Sequence, residues 1–221
     1  MRLLLIRHGQ TIDNVRGALG TSVPGPGLTP LGVTQAAAVP AALEGERIDA
    51  IAVSNLQRTH ETAAPLAAAL GLVPVEFAGL REISAGDLEQ RSDHEAVSAY
   101  LGTILGWWTD FSGRIPGGES GHEFYSRFDG AIAELAAAHP GGTVAVFSHG
   151  AAIRTWASWS SSNLDAGFSR GHGLENTGIV VVEGSPEEGW IATTWQGEPL
   201  GGEQLDDEAA PDPTGEPLAG H

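Results

Sequence analysis

The chain has 221 residues, with 28 Asp and Glu against 11 Arg and no Lys, a formal charge of −17, 41% hydrophobic residues and no Cys. That length suits one domain, and the apolar content supports a core and excludes disorder throughout. The lack of Cys excludes disulfides, thiol nucleophiles, zinc–thiolate sites and iron–sulfur clusters, and the negative charge argues against nucleic-acid binding, so an anionic substrate would need a local positive pocket.

The first element is the apolar run Leu3-Leu4-Leu5-Ile6, which reads as a strand buried on both faces and ends at Arg7-His8. It is shorter than the roughly 7–15 apolar residues of a secretory signal or the about 20 of a membrane helix, so a cytoplasmic protein without membrane association is expected. Thr29-Pro30 is a helix cap with proline at the first helical position, leading into Leu31 to Leu43, although Gly32 and Pro40 weaken that pattern. Ile51-Ala52-Val53 predicts a second buried strand, and Arg58 to Leu70 an Ala/Leu-rich helix stopped by Gly71. Ser120 with Glu123 has capping-box spacing and opens a helix to about Ala138. Val144–Phe147 and Ile179–Val182 read as two more strands, with a helix after Gly150. Strands alternating with helices imply an α/β layer fold around a largely parallel sheet.

The segment from Glu198 to His221 differs, with seven acids, four prolines and no Arg. It is expected to be an irregular, solvated tail following a domain that occupies residues 1–197. The Trp107-Trp108 pair is read as helix packing in preference to a lid, and no internal repeat is found.

Two motifs share one architecture. Leu3–Ile6 runs into Arg7-His8-Gly9, and Val144–Phe147 into Ser148-His149-Gly150. Each places a histidine just beyond the carboxyl end of a buried strand, with a glycine to let a ligand approach the backbone, and ligands of open α/β sheets bind at that edge. The strand Ile51–Val53 is followed by Ser54-Asn55-Leu56-Gln57-Arg58, which brings Arg58 to a helix start, where free N–H groups already favour anions. Two histidines and two arginines converging on one edge outline a phosphate pocket.

With these residues in view, Arg7-His8-Gly9-Gln10-Thr11 with Asn14 resembles the opening motif of the histidine phosphatase superfamily, in its phosphoglycerate mutase-like branch. Ser54 to Thr59 with Thr62-Ala63 resembles that family's second arginine motif, and Leu80-Arg81-Glu82 with Gly86 and Glu89 its acid/base segment. Pro116 to Ser120 and Ser148-His149-Gly150 match two further landmarks, in the expected order, so that the likeness covers about residues 1–182. Asn55 stands where a serine is usual and Gln90 where a glycine is frequent.

The resemblance implies a three-layer α/β/α sandwich around a mostly parallel sheet, and a metal-independent phosphomonoesterase acting on a small phosphorylated metabolite without a cofactor. It makes His8 the nucleophile, Glu82 the proton donor and acceptor, and Arg7, Arg58 and His149 the holders of the phosphoryl group. Gly9, Asn14 and Gly150 are expected to add substrate contacts. A neutral imidazole is a competent nucleophile near pH 7, and neighbouring guanidinium groups oppose its protonation. His60-Glu61 and His122-Glu123 are adjacent on helices, share no face and form no metal site. The alternatives are a phosphoglycerate mutase, which needs further basic groups over the pocket, and a non-catalytic phosphate-binding module. Between Ile83 and Glu119 there are six acids and only Arg91 and Arg114, which favours the phosphatase, as a monomer or homodimer.

Overall fold

The computed structural model describes residues 1–217. Its centre is a six-stranded sheet in the order β3-β2-β4-β1-β5-β6. The strands are β1 (Arg2–Arg7), β2 (Ala50–Val53), β3 (Val75–Glu76), β4 (Thr143–Ser148), β5 (Ile179–Ser185) and β6 (Gly189–Gln196). Pairing is parallel from β3 through β1, and β5 runs against both its neighbours. The four apolar runs thus form the four adjacent strands β2, β4, β1 and β5, as their continuous hydrophobicity requires of strands covered on both faces.

Alternate residues of β1 feed two cores. Leu4 and Ile6 pack with Val39 and Leu43 of the α2 region and with Ala63 and Leu66 of α3, where α2 is Pro30–Ala42 and α3 is Gln57–Leu70. Leu3 and Leu5 face the other layer, with Tyr100 of α4 (His94–Gly106), Phe124, Phe128 and Ile132 of α5 (Gly121–Ala138), and Trp156 of α6 (Gly150–Ser160). This is the three-layer sandwich. Leu3 to Ile6 are each at most 1% exposed, and each such side chain contributes about 1.5–3 kcal/mol of burial free energy. Two short helices, α1 (Ile12–Arg16) and α7 (Ala166–Gly171), complete the set.

Helix α2 runs through Gly32 and Pro40 without a break, because Ala36 and Val39 are buried on the sheet and packing outweighs local propensity. Trp107 is fully buried, stacks on Phe124 and donates from Nε1 to the Gly113 carbonyl, so it belongs to the core.

The acidic segment departs from expectation. It is irregular apart from one 3-10 turn at Glu203–Leu205, but it is not a solvated tail. Leu200 joins the α2–α3 core, Gln35 Nε2 donates to the Leu205 carbonyl, and Gln10 Nε2 donates to Asp207. Asp212 is 4% exposed. The segment crosses the edge of the sheet where β1 and β4 end, against Arg7 and Gly150. Residues 218–221 of the expected tail lie outside the described residues.

Among the described residues no helix is long and apolar enough to cross a membrane.

Candidate active site

The register of β1 on β4 builds the site. Arg7 pairs with Ser148, and the His8 amide donates to the Ser148 carbonyl, so the next residues, His8 and His149, leave the sheet side by side. Their ring centroids are 5.2 Å apart. Strand β2 pairs with β4 on the other side, Val53 opposite Phe147, and the turn after it delivers Arg58 to the first turn of α3. Thr62, one turn later, ties this helix to the histidine loop: its hydroxyl donates to the Arg58 carbonyl and accepts from the Gly9 amide.

Glu82 arrives from the loop after β3. Ser148 Oγ donates to the Leu80 carbonyl and fastens this loop to β4. The Glu82 carboxyl then lies at the start of α6. Its Oε1 accepts from the Ile83 and Ala152 amides at 2.8 and 2.9 Å, and its Oε2 accepts only a long bond, 3.2 Å, from Ala151. Oε2 is therefore the oxygen with room for a proton.

The histidines are fixed as neutral rings. His8 Nδ1 lies 2.8 Å from the Gly9 carbonyl, which can only accept, so Nδ1 carries the hydrogen and Nε2 keeps its lone pair. Burial above all, then Arg58 and Arg7, push the His8 pKa well below its ordinary 6.5. Burial likewise lowers His149, with Arg58 the next cause. His149 Nε2 is 2.8 Å from Ser54 Oγ, and with Ser54 as donor the hydrogen is on Nδ1, which is buried and makes no hydrogen bond among the described residues. Burial also raises the Glu82 carboxyl, against the opposing pull of its backbone hydrogen bonds and Arg58.

Several buried donors here have no partner among the described residues, namely Arg7 Nε, Arg58 Nε and Nη1, and His149 Nδ1. Leaving a buried donor unsatisfied costs about 1–3 kcal/mol, and more for a charged one. Arg58 and Arg7 both act electrostatically on His8 and on His149, whose rings are neighbours, so these donors belong to one region and define an anion site whose anion is a ligand. Burial lowers Arg58 to about 10, still far above neutrality, so the guanidinium stays charged.

The structure thus brings Arg7, His8, Arg58, Glu82 and His149 together and divides the remaining candidates. Asn14 serves as a cap, its Oδ1 accepting from the Thr11 amide and hydroxyl, yet its Nδ2 faces the pocket and donates to Asp212. Gly9 is not placed for a substrate contact. Its amide is taken by Thr62, and a Cβ there would lie 2.7 Å from the Gly32 carbonyl, so its missing side chain admits helix α2 and no ligand. At Gly150 a Cβ would lie 2.5 Å from the Thr214 carbonyl and 3.0 Å from Arg7 Nε, so this glycine lets both approach the start of α6.

Three residues outside the expected set also shape the site. Ser54 orients His149. Arg127 of α5 donates to the carbonyls of Gly79, Arg81 and Glu82 and pairs with Glu119, clamping the loop that carries Glu82. Asp212 pairs with Arg7 at 2.5 Å. Gln90 has φ of +61°, the left-handed conformation that favours glycine, and its side-chain amide donates to Asp13.

Residues 3–196 match the model of the histidine phosphatase superfamily, branch 1. A PE-PGRS family protein of Mycobacterium tuberculosis is 39% identical over 214 residues, covering 89% of this chain, although the chain spans only about a third of that protein's length, 36%. A probable phosphoglycerate mutase of Salmonella choleraesuis is 31% identical over 206 residues, covering 91% of this chain and 93% of that protein. The mycobacterial glucosyl-3-phosphoglycerate phosphatase, solved with VO3, superposes with a TM-score of 0.75 at 29% identity, covering 89% of this chain and 99% of that one. Family model, relatives and fold agree with the motifs: this chain is an enzyme of the histidine phosphatase superfamily, branch 1.

Proposed function

We propose that the protein hydrolyses a small phosphorylated metabolite, without a metal, through a phosphohistidine intermediate. The observation that carries this reading is the cluster of unpartnered buried donors of Arg7, Arg58 and His149 around His8. Guanidinium forks match phosphoryl oxygens and keep their charge, and the charge of phosphoryl transfer spreads over the equatorial oxygens these donors would hold. In the first step His8 Nε2 forms the N–P bond as the ester P–O bond breaks, and Glu82 gives its proton to the departing oxygen. In the second, water attacks phosphorus, its proton returns to Glu82, and the N–P bond breaks to release phosphate.

The first step needs neutral His8 and protonated Glu82 together. With ordinary values of 6.5 and 4.5, at most about 1% of molecules would hold both forms at once. Burial moves the two groups in opposite directions, His8 down and Glu82 up, and so enlarges that population. Opposed shifts in one site are the mark of an acid and a nucleophile working as a pair.

The basic residues that a mutase would need over the pocket are engaged elsewhere. Arg91 pairs with Asp93, and Arg114 with Glu123. This supports hydrolysis over isomerisation. The test is a panel of phosphate monoesters with and without exhaustive chelation, coupled to rapid acid and alkali quenching. Turnover that survives chelation, with an acid-labile, alkali-stable phosphoenzyme, is the expected result. Loss of activity on chelation, restored by a divalent ion, would overturn the reading.

A further inference from the structure

The acidic segment reaches into the site. Asp212 Oδ2 lies 2.5 Å from Arg7 Nη2, and Asp212 Oδ1 accepts from Asn14 Nδ2 at 3.2 Å. One carboxylate thus bridges two side chains expected to hold phosphoryl oxygens, with its own two oxygens in their place. Thr214 adds a hydroxyl 3.1 Å from the same Arg7 nitrogen. The cavity that His8, Arg58 and Glu82 border has Thr214 of the acidic segment as part of its wall.

The backbone around Asp212 is pinned by a set of polar contacts. Arg154 of α6 donates to the carbonyls of Thr214 and Glu216, the Leu174 amide donates to the Gly215 carbonyl, and the amides of Gly215 and Glu216 fold back on the Asp212 carbonyl. Pro211 and Pro213 flank the aspartate and restrict the conformations it has when released. The anchoring is polar and the segment is acidic, so once lifted it is well solvated.

We propose that residues 207–217 form an autoinhibitory strap in which the Asp212 carboxylate occupies the phosphoryl site, so that substrate binds by displacing it. The inference rests on the reading of Arg7 and Asn14 as phosphoryl holders. The strap and an incoming phosphate compete for the same guanidinium, and the apparent affinity for phosphate is lowered by the fraction of molecules that are closed. In the closed state the strap also keeps water from Glu82 and His8.

The experiment measures binding of inorganic phosphate by titration calorimetry in the full chain, in Asp212→Asn and in Arg154→Gln. Asp212→Asn keeps shape and removes the charge, while Arg154→Gln loosens the strap from outside the pocket. Both should bind phosphate more tightly, by about ten- to hundredfold for the aspartate, the effect of one charge-assisted hydrogen bond. In the unaltered protein, saturating phosphate should speed amide hydrogen exchange in residues 207–217, where a ligand that leaves the strap closed would slow it. Unchanged or weaker phosphate binding in Asp212→Asn would mean that the carboxylate only orients Arg7 and would overturn the strap, as would slower exchange in 207–217. Turnover of p-nitrophenyl phosphate is followed in parallel. Tighter binding without turnover in any form leaves the strap standing and refutes the catalytic reading, whereas turnover without tighter binding refutes the strap alone.

Discussion

Replacing Glu82 by Gln separates proton transfer from positioning, and the structure sets the size of the effect. Glu82 is 3% exposed, so it is the buried carboxyl, and not bulk solvent, that is held in place to donate a proton. General acid–base assistance is worth roughly 10²–10⁴-fold, or about 2.7–5.4 kcal/mol, and the burial of Glu82 argues for the upper part of that range with alkyl phosphates. An aryl ester such as p-nitrophenyl phosphate leaves as a weak base and needs little protonation, so its phosphorylation step should slow by about tenfold or less. Dephosphorylation still requires water to be activated, and the aryl ester should therefore give a burst followed by slow turnover. Quench-flow measurement of phosphoenzyme formation with both esters reads the two steps directly.

The same variant carries its own structural control. Gln can keep Oε1 as acceptor for the Ile83 and Ala152 amides, but its Nε2 would then face the Ala151 N–H, donor against donor. An unsatisfied buried amide costs about 1–3 kcal/mol, so urea melts should show a loss no larger than that. If the alkyl and aryl esters slow equally in the phosphorylation step while stability holds, Glu82 only shapes the pocket and the acid role is refuted.

His8→Ala should abolish the trapped phosphoenzyme and leave circular dichroism unchanged, since the ring stands beyond a strand end; retained turnover would end the nucleophile assignment. Arg127→Leu should lower kcat and cost about 3 kcal/mol in denaturant melts, because it leaves buried Glu119 with only Arg81, 3.8 Å away, as a charged partner beside the Ser84 amide, and frees the Glu82 loop. The pH–rate profile of the phosphorylation step should keep neutral His8 well below pH 6.5 and protonated Glu82 above pH 4.5, falling on the acid side as His8 charges and on the basic side as Glu82 ionises. Because His8 and His149 have folded values depressed below 6.5, the unfolded chain binds more protons there and they lower stability as pH drops below about 6.5, opposed by the raised Glu82; the fall should be smaller in His149→Gln, and identical pH profiles of the two proteins between pH 7 and 5 would contradict the buried neutral His149.

What is legible in the sequence follows from how locally each feature is encoded. The four apolar runs read correctly because a strand covered on both faces must be hydrophobic at every position, and the two His-Gly motifs read correctly because they follow those strands directly. Strand β6 has no such run: it is the sheet's edge, with Ile191 half exposed and Thr193-Thr194 in its middle, so no continuous pattern marks it. Helix α4 begins at a cap, Asp93, whose side chain accepts from the Ala96 amide. Its buried face is only Ala96, Tyr100, Leu101 and Ile104, too short a stripe to stand out before the helix has docked.

The site divides along the same line. His8, His149, Arg7 and Arg58 lie within a few residues of strand ends and announce themselves by position, whereas Arg127 acts from the middle of a helix and reaches its partners only once α5 has docked. Gly9 reads as a ligand contact because a glycine after a strand leaves space, but the space is filled by the facing Gly32, which no local pattern reveals. The acidic segment is the sharpest case. Its composition describes the free chain correctly: acids and prolines with few apolar residues do not build a core of their own. What composition leaves out is the surface beside it. The buried Arg7 guanidinium, with Nε still lacking a partner, is a strong local attractor for a carboxylate, whatever the sign of the protein's total charge. Screening confines the repulsion of distant acids to about 8–10 Å, while the Asp212–Arg7 contact is made at 2.5 Å between two buried side chains. The pocket that selects a phosphate out of solution must therefore also select the nearest tethered anion, and a chain with seven acids after residue 197 supplies one.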